Sequence, residues 1–184
     1  MFSEKQRIDY LLNVYFGDYL AHPILSAVNT AYLDFARTQH GFGKKTNKNE
    51  IHSERVSYLV ERISYICNNK FDNQKDFDDY HKETTEKLVK ISQKDFTVGQ
   101  GQKWINMSLK YCLIIDPRNY SINSRYFHIP IDNIVLGILK GFPSVGKWSR
   151  IRNYDHYLKF QKWFRKEYAD KEPIMSELEI WKRE

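Results

Sequence analysis

The stretch 97-TVGQGQKWINMSLKYC-112 puts two glycines, two positions apart, and then a lysine at the mouth of the most apolar run of helix formers in the chain. Only eight glycines occur in 184 residues, so a pair at this place calls for a physical reason. Glycine is needed where the backbone turns left-handed, or where another backbone or a ligand comes very close. The polar segment 92-SQKDF-96 precedes the pair, and Ile105, Leu109, Cys112 and Leu113 follow it as a stripe at helical spacing. The pattern predicts a helix over 75–93, a tight turn at Gly99–Gly101 and a largely buried helix over 101–115. A turn of that kind exposes amide N–H groups at the positive end of a helix, a place suited to a phosphate. Neither a Gly-x-Gly-x-x-Gly run behind a strand nor the Gly-Lys-Ser/Thr of a P-loop accompanies it.

The rest of the chain reads as helix as well. Apolar positions recur at helical spacing over 3–16, 24–38, 53–67 (with Ser53 placed to cap) and 153–169, and a short last helix starts at Pro173. The segment 131-IDNIVLGILKGF-142 predicts one more helix behind the aromatic loop 116–130. The stretches 40-HGFGKKTNKNEI-51 and 143-PSVGKW-148 read as a basic loop and a turn. No segment alternates with period two, and no repeat is visible. The expectation is an all-α protein with one domain over 1–184. It has room for two lobes meeting near residue 45, and its hairpin and active-site region spans 92–142.

Composition bounds the rest. Hydrophobic residues make up 41% of the chain, enough for a real core, which argues against global disorder. No apolar run approaches the roughly 20 residues of a membrane span. Cys67 and Cys112 both fall in apolar helical contexts without Cys-x-x-Cys spacing, which predicts buried free thiols, no metal framework and a cytoplasmic location. The 29 Lys and Arg against 23 Asp and Glu leave a charge of +6, permissive for a polyanionic partner.

Val98-Gly99-Gln100-Gly101-Gln102-Lys103 resembles the hairpin of the helix-hairpin-helix DNA glycosylase superfamily. There a glycine-x-glycine-x-lysine turn grips a DNA phosphate and presents a nucleophilic lysine. Pro130-Ile131-Asp132, followed by Ile134, Val135 and Leu136, resembles the family's second mark, an aspartate after Pro-Val. Lys110 seven residues after Lys103, the interval of 29 positions from Lys103 to Asp132, and the terminal Pro173, Leu178 and Trp181 are similar to the archaeal 8-oxoguanine glycosylases. The resemblance covers residues 96–140. It departs from the family at Thr97-Val98, where Leu-Pro is usual, and at Asn133-Ile134. It lacks the four cysteines of the iron–sulfur members.

The resemblance implies a base-excision glycosylase and lyase acting on double-stranded DNA with an abnormal base, without a cofactor or metal. Lys103 would be the nucleophile and Asp132 the group that stabilises positive charge on the sugar. Val98, Gly99, Gly101 and Gln102 would bind DNA, and Lys110 would line the pocket. The aromatics of 126-YFH-128, Phe127 among them, stand just before Pro130, where they would wall a base pocket or as easily plug the core. Two alternatives stand beside this reading. One is a non-enzymatic helical protein that binds nucleic acid or another protein. The other is a HEPN-type ribonuclease, because Arg150 and His156, with five residues between them, resemble that family's arginine–histidine signature.

Overall fold

A computed structural model describes residues 2–40, 42–44, 46–93, 96–139, 141–142 and 146–181. All regular structure among them is helical. The helices are α1 (Glu4–Phe16), α2 (Pro23–Leu33), α3 (Lys48–Asn68), α4 (Gln74–Ser92), α5 (Val98–Ile115), α6 (Pro117–Tyr120), α7 (Asn133–Ile138), α8 (Tyr154–Glu167) and α9 (Pro173–Ile180). No helix among the described residues is long and apolar enough to cross a membrane.

The architecture is organised around α5. From Val98 to Cys112 every residue of this helix is buried, and α2, α3, α4, α8 and the 3₁₀ turn Trp148–Arg150 pack around it. Its start is set locally. The Thr97 hydroxyl accepts the Gln100 N–H at 3.1 Å, and the Gln100 side chain accepts the Thr97 N–H in return, so the two form a capping box. The predicted turn at Gly99–Gly101 is therefore corrected. Both glycines lie inside α5, which is capped at Thr97; Lys94 and Asp95, between α4 and α5, fall outside the described residues.

The two glycines serve packing instead. A β-carbon on Gly99 would sit 1.9 Å from the carbonyl oxygen of Trp148, so only glycine lets the 148–151 backbone cross the first turn of α5. At Gly101 the nearest atom to a β-carbon would be Cγ2 of Thr85 on α4, at 3.2 Å, a milder squeeze.

Other boundaries move for similar local reasons. α3 begins at Lys48, inside the expected basic loop, which makes Ser53 an interior residue and not a cap. Gly41 and Lys45 of that loop, and residues 143–145 of the expected turn, lie outside the described residues. α2 ends at Leu33, and a 3₁₀ turn at Ala36–Thr38 takes up the rest of the predicted helix. Cys67 and Cys112 are buried free thiols, with the Cys112 thiol hydrogen-bonded to Cys67 and pushed well up by that contact and by burial.

Beneath α5 lies a polar layer. His81 is held between the Tyr154 hydroxyl at 2.7 Å and Oδ1 of Asn106 at 2.9 Å. His128 is held between the Tyr157 hydroxyl and Oδ1 of Asp78, both at 2.8 Å. Both rings are fully buried, and burial, the largest cause in each case, holds them neutral by pushing their pKa down.

Candidate active site

One stripe of α5 faces a cleft. Lys103, Met107, Lys110, Tyr111 and Ile114 recur at intervals of three, four and seven, the spacing of one helix face. α1 supplies one wall and α9 with Trp181 another, around a cavity of about 720 Å³. That volume falls within the roughly 300–1,000 Å³ of small-molecule sites.

At its floor Lys103 Nζ donates to Oδ2 of Asp132 at 2.6 Å, with side-chain exposures of 6% and 15%. Lys103 lies in the second turn of α5, one turn later than the sequence pattern placed it. Asp132 is also the N-cap of α7, its Oδ1 accepting the Val135 N–H at 2.9 Å. The two carboxylate oxygens thus have separate duties, one capping a helix and one holding the amine.

Two turns along α5, Lys110 Nζ donates to Oε2 of Glu177 on α9 at 2.6 Å, with exposures of 7% and 2%. Burial pushes the Glu177 carboxyl up, against the opposing pull of the Lys110 ammonium. The Lys110 ammonium also stands 5.5 Å from the centre of the Trp181 ring. On the α1 side, the Tyr111 hydroxyl donates to Oδ2 of Asp34 at 2.8 Å, which leaves its oxygen to accept from the Tyr15 hydroxyl at 3.0 Å. Burial raises both Asp34 and Tyr111 above their ordinary values.

The structure brings Lys103, Asp132 and Lys110 to this cleft, with Leu178 and Trp181 of the terminal segment on its wall, and sends the other candidate site residues elsewhere. Val98, Gly99, Gly101 and Gln102 are all buried. The Gly99 N–H donates to the carbonyl of Ile151 at 2.9 Å, and the Gly101 N–H to that of Thr97 at 3.0 Å. The expectation that these amides grip a phosphate is therefore corrected: the 148–151 backbone already occupies the start of α5.

Of the two places open to Phe127, the structure gives the core: its ring lies 5.7 Å from that of Phe77, and it does not line the cleft. Arg150 and His156 are exposed and also lie off the cleft, and the His156 N–H is taken by the Asn153 side chain.

Asp34, Tyr111 and Glu177 escaped the sequence reading. Glu177 had one usable signal, its place four residues before Trp181 on the last helix. Asp34 had none. Among the described residues, no three His, Cys, Asp or Glu side chains gather in a way that would hold a metal ion. Comparison of the chain with protein-family models, with curated proteins and with solved structures finds no match.

Proposed function

We propose that the protein is a base-excision DNA glycosylase with lyase chemistry, with Lys103 as nucleophile and Asp132 as its partner. One observation carries this reading. An amine and a carboxylate 29 residues apart in sequence meet at 2.6 Å on the floor of a cleft, nearly out of solvent. A glycosylase must turn its target nucleotide out of the duplex into such a pocket. In this reading the Lys103 ammonium gives its proton to the departing base and the freed amine adds to the sugar carbon, while Asp132 stays ionised. The same carboxylate then faces the positive charge that develops on the sugar. The remaining product is a Schiff base between Lys103 and the opened sugar, from which strand cleavage follows.

The walls suit an aromatic guest. Met107, Tyr15 and Trp181 offer apolar surface for a base to lie against. Lys110 and Glu177, spent on each other, close one side of the cleft. Because the start of α5 is covered, DNA backbone contacts fall to basic side chains such as Arg37 at the cleft. With a chain charge of +6, binding should weaken steeply with salt.

A second reading, a helical interaction protein, draws on α1, whose Ile8, Leu11, Val14 and Tyr15 are exposed large hydrophobics. Incubation with duplexes carrying abasic sites or oxidised bases in the presence of borohydride separates the two. The glycosylase reading expects a covalent adduct that disappears in Lys103→Gln. No adduct with any lesion, together with salt-independent or absent DNA binding, would favour the interaction protein.

A further inference from the structure

The segment that delivers Asp132 to Lys103 is irregular, extended at Asp132 itself, and pairs with no strand among the described residues. Ile129 and Ile131 are fully buried, so their backbone N–H and C=O groups need partners inside the protein. Side-chain amides supply them. Gln161 of α8 accepts the Ile129 N–H at 3.0 Å and donates to its carbonyl at 2.9 Å. Gln102 of α5 accepts the Ile131 N–H at 3.2 Å and donates to its carbonyl at 3.0 Å. Asn106 donates to the Ile129 carbonyl at 3.1 Å and to Oε1 of Gln102 at 3.0 Å. The last bond fixes which end of the Gln102 amide is oxygen, and its nitrogen is anchored again on the Gly99 carbonyl at 3.0 Å. Pro130, between the two clamped residues, has its φ fixed by its ring.

Gln102 and Lys103 are neighbours on α5, and Ile131 and Asp132 are neighbours on the segment. Two consecutive residues of the helix thus hold two consecutive residues of the chain opposite. A slip of one residue would turn Asp132 away, because successive side chains of extended backbone point to opposite sides. Carrying a donor and an acceptor side by side without charge, the primary amide can take both backbone groups of one residue while buried. Gln102 is therefore not a DNA contact, the role its place beside the glycines suggested. The geometry points to Gln102 as a positioning residue, whose side-chain amide, clamped on both backbone groups of Ile131, sets the register at which Asp132 meets Lys103. This role rests on the reading of Lys103 and Asp132 as the reacting pair.

The test uses three variants of the full chain and two readouts. Gln102→Met keeps length and apolar bulk but loses both bonds. Gln102→Glu restores both only when its carboxyl is protonated, since an acid then has one donor and one acceptor. Gln161→Met removes the same kind of clamp two residues upstream. The first readout is the nuclear Overhauser contact between the Lys103 ε-methylene and the Asp132 β-methylene, which needs no catalysis. The second is the rate of borohydride trapping on a duplex with an abasic site.

Gln102→Met should lose the contact and trap roughly a hundredfold more slowly, the scale expected for a misplacement of about 1 Å. Gln161→Met should lower thermal stability but keep the contact and the trapping rate. Gln102→Glu should recover both readouts as pH is lowered, relative to the wild-type chain at each pH. A Gln102→Met protein with wild-type contact and trapping overturns the proposal, and so does a Gln161→Met protein that loses both equally. If Gln102→Met does not fold, Gln102→Glu decides alone, and readouts that ignore pH overturn the role. If the wild-type chain traps nothing while the contact responds as described, the positioning role stands and the glycosylase reading falls.

Discussion

Two lysine–carboxylate pairs sit two turns apart on α5, with the same 2.6 Å separation, and they differ in what surrounds them. Lys110 and Glu177 are both nearly sealed, and the carboxylate comes from the short helix α9. Lys103 is equally covered, but its partner Asp132 is more open, caps a helix and ends a backbone segment clamped by amides. Equal distance therefore does not mean equal role. Desolvation makes the Lys110–Glu177 pair a matter of stability, whereas a fixed backbone and a more open carboxylate suit the Lys103–Asp132 pair to the proposed chemistry.

The largest expected effect on stability falls on the Lys110–Glu177 pair. Glu177→Ala would leave the Lys110 ammonium buried without its partner, a loss of about 3–5 kcal/mol. Asp132→Ala loses a cap worth about 1 kcal/mol and a pair that water can partly replace, so it should cost less. Urea unfolding of the two variants measures this, and a costlier Asp132→Ala would reverse the comparison. Activity should invert the order: Asp132→Asn stops trapping, while Glu177→Gln leaves trapping on a duplex with an abasic site near the wild-type rate.

The glycines separate in the same manner. Gly99→Ala forces the Trp148 carbonyl aside and should destabilise by about 1–3 kcal/mol or more. Gly101→Ala meets only a methyl group that can shift, and should cost clearly less. Equal melting temperatures for the two would mean that the crossing at Trp148 is not as tight as described.

Smaller still is a pH effect from the histidine layer. His81 and His128 have folded pKa values pushed below the ordinary value of about 6.5. Below that pH the unfolded chain takes up protons that the folded chain refuses. Their contribution is thus complete above about pH 6.5 and is lost progressively as pH falls toward the folded values. Denaturation midpoints should drop between about pH 7 and pH 5. A Gln substitution at either histidine should flatten part of that slope, and an unchanged slope would assign it to other groups.

Helix existence was legible because 3.6-residue periodicity survives in nearly every segment, and α1, α4 and α8 begin within a residue or so of where the pattern places them. The start of α5 was misread because the glycines drew the turn toward themselves, although Thr97-x-x-Gln100 spells a capping box. The role of Gly99 was not legible at all, since the atom that needs the space belongs to Trp148, far along the chain. The meeting of Lys103 with Asp132 was visible only through resemblance, because periodicity carries no information across 29 residues and a change of element. Glu177 and Asp34 reach the cleft through contacts with Lys110 and Tyr111, 67 and 77 residues away in sequence, and no local pattern encodes such contacts.

On the proposed mechanism Lys103, not Lys110, is the reacting amine. Reduction with borohydride on a lesion-bearing duplex, followed by proteolysis and mass spectrometry of the nucleotide-bearing peptide, tests it directly. The adduct should map to Lys103, vanish in Lys103→Gln and persist in Lys110→Gln. An adduct on Lys110, or one that survives Lys103→Gln, would contradict it.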